Sequence, residues 1–151
     1  MKHGVILAGL LFSGAAFAAD TPPSAAADPA EAIVEQARSA IKKQDWRTAS
    51  SLLREALQVN QSADVHNLYA YSLRKSASPD MNLVFKHYNE ALKMDPKHRG
   101  AHEYIGEAYL MVGNVAKAKE HLATLDKLCF FPCSEQADLK KAIAAHEAKS
   151  K

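Results

Sequence analysis

The stretch Arg99–Leu122, RGAHEYIGEAYLMVGNVAKAKEHL, decides the fold. Ala101, Ile105, Ala108 and Tyr109 recur at helical spacing, Gly113-Asn114 breaks the run, and Ala118 and Leu122 resume it. It predicts two helices joined by a tight turn, with small residues where the helices cross.

The same pattern stands twice upstream. The small residues of the second helices, Ala49, Val84 and Ala118, lie 35 and 34 residues apart. The closing positions Gln61, Pro96 and Phe130 repeat those spacings. The small residues of the first helices, Ala37, Ala70 and Gly106, lie 33 and 36 apart. Within a pair the two small residues are 12, 14 and 12 apart, so the middle turn carries two extra residues. A self-similar unit of this length is the mark of a stacked helical array.

Periodicity places the helices in order. Asp28-Pro29-Ala30-Glu31 reads as a helix start, with Asp28 as cap and Pro29 at the first helical position. Ile33, Ala37, Ala40 and Ile41 follow, up to about Lys43. Gln44-Asp45 is a turn, and Trp46 opens a second helix that Asn60-Gln61-Ser62 ends. Val65 to Leu73 is a third. Ser78 and Pro79 are expected to cap and open a fourth, which Asp95-Pro96 stops. The fifth and sixth belong to the opening stretch. Ser134 starts a seventh, which reads as the polar-backed cap that such arrays require.

The period of about 34, with Ile105-Gly106, Tyr109, Gly113-Asn114, Ala118 and Leu122 in the third unit, resembles the tetratricopeptide repeat (TPR). The second unit keeps Ala70, Tyr88, Ala91-Leu92 and Pro96. The first keeps Ala37, Asp45-Trp46, Ala49 and Ala56-Leu57, with Gln61 where proline is usual. The resemblance implies an all-α, right-handed α-solenoid of three TPR helix pairs (30–62, 63–98 and 99–132) plus a C-terminal capping helix and tail from 134 to 151. It also implies a protein-binding role, with an extended peptide or partner helix held on the inner face of the first helices. Carried over by position, that groove takes in Arg38, Lys42, Asn67, Tyr71, Arg74, Lys75, Glu103 and Glu107. Its first sets are basic or polar and its last is acidic, a gradient that would orient a peptide. The lysine, asparagine and arginine pattern of the family's carboxylate clamp is not reproduced.

The first 19 residues read as a secretory signal peptide: Lys2 and His3, an apolar run from Gly4 to Phe12, and Ala16-Phe17-Ala18 as a small-x-small cleavage site. Residues 20–29 read as a flexible linker. The apolar run falls short of the roughly 20 residues of a spanning helix, so stable membrane insertion after cleavage is not expected. Periplasmic or secreted location follows, with a protein or peptide of the cell envelope as partner. With Lys2 removed, 18 basic residues face 17 acidic ones. That balance, and the absence of basic residues clustered with aromatics, speaks against nucleic acid.

Cys129 and Cys133 are the two cysteines. In an oxidising compartment a disulfide pinning the last repeat to the cap is the first reading. A redox-active pair, or a copper or zinc site completed by His121, are the alternatives, and define the competing function of a thiol- or metal-handling accessory protein. His98 and His102 share a helix face, without the glutamate of a metalloprotease motif. His66 and His102 occupy equivalent slots, which suggests packing; His87, His121 and His146 join no recognisable set. No phosphate loop, nucleophile elbow or distinctive carboxylate pair is present, so no enzyme, cofactor or metal is assigned.

Overall fold

The computed structural model describes residues 29–149. Among them, seven helices follow in order: α1 Pro29–Lys42, α2 Trp46–Ala56, α3 Ala63–Arg74, α4 Met81–Met94, α5 Arg99–Met111, α6 Val115–Leu128 and α7 Ser134–Lys149. The described chain is all-α. The expected signal peptide and Asp28 cap lie outside the described residues.

Polar caps set most of the starts, each accepting a backbone N–H that the first turn leaves free. Asp45 accepts from Thr48 at 3.1 Å, Ser62 from Val65 at 3.3 Å and Asn114 from Lys117 at 3.1 Å. His98 does the same for α5, its Nδ1 accepting from Ala101 at 3.1 Å. The fourth start differs from expectation. Asp80, not Ser78, caps α4, accepting from Asn82 and Leu83 at 3.0 and 3.2 Å, and Pro79 stays outside the helix. A carboxylate satisfying two orphan donors outcompetes a serine hydroxyl two residues earlier.

Helices α1 and α2, α3 and α4, and α5 and α6 pack as pairs, and each pair packs on the next. The small residues Ala37, Ala49, Ala70, Val84 and Ala118 are wholly buried, as close helix approach requires. The core is correspondingly split into three clusters. Leu53, Val65 and Tyr69 belong to the first, which already joins the first pair to the second. Val84, Tyr88 and Ile105 join the second pair to the third. Leu125, Leu139 and Ile143 join the third pair to α7.

Gly106 belongs to that last junction. A Cβ placed there would stand 2.7 Å from both terminal methyls of Leu139. The small residue in α5 therefore admits α7, in addition to its place in the helix pair. The turns inside the first and third pairs share a backbone: Gln44 and Gly113 both have positive φ, 58° and 75°. No helix among the described residues is long and apolar enough to cross a membrane.

Candidate interaction face

Helices α3 and α5 lie against each other, which brings Tyr71, Arg74, Tyr104 and Glu107 together. Residues three and four apart share a helix face. Tyr71 and Arg74 are one turn apart on α3; Glu103, Tyr104 and Glu107 cover about one turn of α5.

Arg74 is the centre of this face and is buried. Its guanidinium donates to Glu107 Oε2 at 2.6 Å and to the Tyr88 hydroxyl at 3.3 Å. It also stands 5.5 Å from the Tyr71 ring centre and 5.7 Å from that of Tyr104, within cation–π reach. Burial raises the Tyr88 hydroxyl far above its ordinary range and pushes that of Tyr104 up to about 12, so both stay neutral.

An aromatic row crosses the same face. Trp46 meets Tyr71 edge-on at 5.7 Å, and Tyr71 meets Tyr104 at 4.6 Å. All three rings are half-buried. The exposed Lys75 places its ammonium 5.7 Å from the Trp46 ring centre. This row was not anticipated from the sequence, although Tyr71 and Tyr104, 33 residues apart, carry a repeat-spaced signal.

The eight residues carried over by position fall into different settings. Lys42 and Lys75 are exposed, and Tyr71 is partly so. Arg38 is ion-paired with Asp64, which also meets His98 Nε2 at 3.2 Å. The hydrogen bond to His98 lowers the Asp64 pKa, and the same bond raises that of His98. Asn67 is buried, and its Oδ1 has no hydrogen-bond partner. Glu103 is buried too, and burial, reinforced by Glu107, Asp138 and Glu135, lifts its carboxyl to about 8.

The charge gradient is therefore much weaker than the linear order of residues suggests. Its acidic end is a carboxylate neutralised by Arg74 and a carboxyl that is largely protonated near neutrality. What solvent meets there is the aromatic row with the exposed Lys75 over Trp46, while Lys42 stands exposed at the end of α1.

At the cap, Cys129 and Cys133 form a disulfide. The bridge closes a loop in which Phe130 and Phe131 are 92% and 75% exposed. Gln136 donates to Asp126 at 2.6 Å across the loop base, and Arg99 pairs with Glu135 at 3.7 Å. His121, the residue considered as a third ligand beside the sulfurs, is instead engaged with His102. Among the described residues, no group of three or more His, Cys, Asp or Glu converges as a metal set would.

No family model matches the chain, and no curated protein matches it in sequence. Its fold is nevertheless shared with a solved structure, the type III secretion translocator chaperone SycD of Yersinia enterocolitica, in an alternative dimer. The two superpose with a TM-score of 0.70 over 83% of this chain and 97% of that one, at 15% identity. The likeness is one of fold: a helical solenoid.

Proposed function

We propose that this chain is an exported TPR-type interaction module that binds a protein or peptide of the cell envelope through the α3–α5 face. The observation that carries the reading is the partly exposed row Trp46–Tyr71–Tyr104, flanked by Lys75 and braced from beneath by Arg74. Aromatic rings held by their neighbours offer contact area at low ordering cost, and lysines beside them favour an acidic or carboxylate-bearing partner. SycD, which shares the fold, is a chaperone. That supports protein binding as the kind of work done here, by binding and not by catalysis.

Export, cleavage near Ala18 or Ala19 and a periplasmic or secreted location belong to the same proposal; they rest on the basic start, apolar run and Ala-Phe-Ala site. The test is quantitative co-purification from envelope extract, comparing the unaltered chain with Tyr71→Ser and Lys75→Glu. Arg74 is left intact because its loss would disturb the fold. Depletion of the same bound proteins in both variants is expected; an unchanged set would remove the face as the binding site.

A further inference from the structure

His98 holds two partners that belong to different helices. Its Nε2 lies 3.2 Å from Oδ1 of Asp64 in α3, and its Nδ1 accepts the Ala101 N–H of α5 at 3.1 Å. An ionised carboxylate only accepts, so Nε2 carries a proton. Nδ1 is itself the acceptor from Ala101, so it carries none. The two contacts together define one species, the neutral ring protonated on Nε2.

A second proton can only go to Nδ1, and it ends the cap. An Nδ1–H would then face the Ala101 N–H, donor against donor. Letting go of Ala101 costs little, because its N–H keeps a second acceptor, the His98 carbonyl oxygen at 3.1 Å. Asp64, meanwhile, holds a charged ring more tightly than a neutral one. Protonation therefore exchanges a bond to α5 for a stronger one to α3, and leaves Nδ1–H in need of an acceptor.

That acceptor stands beside the ring. Asn67 of α3 is buried, and its Oδ1 is, among the described residues, the one buried side-chain polar atom without a hydrogen-bond partner. An unsatisfied acceptor of this kind costs stability until a donor arrives. Ring and amide share the space over the bare backbone of Gly100. A Cβ there would stand 3.5 Å from Asn67 Nδ2, 3.5 Å from His98 Cε1 and 3.7 Å from His98 Nδ1.

Charged groups from every neighbouring element face the ring. Asp64 of α3, Asp95 and Lys97 of the preceding turn, Arg99 of α5 and Glu135 of α7 line one surface cavity of ≈530 Å³ with it, and Arg38 of α1 reaches Asp64. Arg99 is paired with Glu135, which leaves Asp64 and Asp95 as the acids acting on His98. The hydrogen bond to Asp64 holds the His98 pKa above its ordinary value against the effect of burial, so the second proton arrives within reach of neutral pH.

We propose that His98 is a proton-operated latch between α3 and α5. Neutral, it caps α5 and leaves Asn67 unsatisfied. Protonated, it drops the cap and is held on α3 by both Asp64 and Asn67. Acid thus frees the first turn of α5, which leads into Glu103 and Tyr104 of the candidate face.

The test is nuclear magnetic resonance of the nitrogen-15-labelled full chain, from about pH 5 to pH 8.5. At the alkaline end, His98 Nδ1 should give the resonance of a bare imidazole nitrogen and Nε2 that of an N–H. As pH falls, the Ala101 amide and the Asn67 side-chain amide should move with the midpoint of His98 itself. Asn67→Leu should lower that midpoint by about half to one unit, because the charged ring loses an acceptor. Asp64→Asn should lower it at least as far. His98→Asn, which caps a helix without titrating, should abolish the movement at both signals, with circular dichroism confirming helix content. A neutral ring protonated on Nδ1, Ala101 or Asn67 signals that ignore the His98 midpoint, or an unchanged midpoint in Asn67→Leu would overturn the proposal; the first two need no variant to fold.

Discussion

Arg74 of α3 and Glu107 of α5 are joined at 2.6 Å, with Arg74 buried and Glu107 more open to solvent. The pair ties the second helix pair to the third at the point where the aromatic row crosses. Arg74→Ala leaves Glu107 and the Tyr88 hydroxyl without their shared donor. Because Glu107 keeps some access to water, the loss should be about 2–3 kcal/mol, below the cost of breaking a fully buried pair. Urea unfolding of Arg74→Ala, Glu107→Ala and the double variant measures it. Purely additive losses would show that the two side chains are not coupled.

The two positive-φ turns differ in residue and share a conformation. Gln44 holds φ 58° where Gly113 holds 75°. A residue with a Cβ is disfavoured there by roughly 1–2 kcal/mol, part of which glycine's extra unfolded-state freedom offsets. Gln44→Gly should stabilise by about 0.5–1 kcal/mol, and Gly113→Gln should cost a similar amount. Opposite signs in thermal unfolding are the expected result; equal signs would mean that other contacts dominate the turns.

Stability should fall as acid is added, through the histidine pairs. His87 and His121 titrate near 4 in the folded chain and near the ordinary value of 6.5 when unfolded. The unfolded chain therefore binds more protons between those values, and the stabilisation, complete above about pH 6.5, is lost as pH falls toward 4. With screening of these partly exposed rings discounted, the drop should be about 1–2 kcal/mol in all. The double variant His87→Phe, His121→Phe should flatten the profile of urea midpoints over that range.

Glu103 acts in the opposite direction. Its carboxyl, lifted to about 8 from 4.5, keeps its proton longer in the folded chain than in the unfolded one. The favourable contribution is complete below about pH 4.5 and is lost as pH rises through 8. Glu103→Gln, which stays neutral, should therefore narrow the loss of stability between about pH 4.5 and 8, read from the same midpoints. An unchanged alkaline slope would mean that Glu103 is ionised across the whole range.

Helix positions and the solenoid pattern were legible because they are local. Ala49, Val84 and Ala118 announce their burial by period alone, and Asp45, Ser62 and Asn114 sit where a cap must. The candidate face was legible only in part. The family resemblance placed Tyr71, Arg74 and Glu107 on the inner face of the first helices, but nothing along one helix shows that Arg74 reaches across to Glu107, 33 residues away. The same holds for His87 and His121. Each looked isolated because its partner lies on the preceding helix, 21 and 19 residues earlier. The near-equality of those separations was the available clue. Asp80 was missed because Ser78-Pro79 also fits a helix start, and the choice depends on which side chain reaches the two free N–H groups.

Leu139, seated against the bare backbone of Gly106, has a consequence for how such an array can lengthen. The site that a fourth helix pair would need on α5 is filled by a side chain from the chain's own next helix. Inserting another unit after Leu128 would require Leu139 to be displaced and its helix to be carried outward to the new end. The fit of α7 on α5 is thus fixed by one leucine and one missing methyl group.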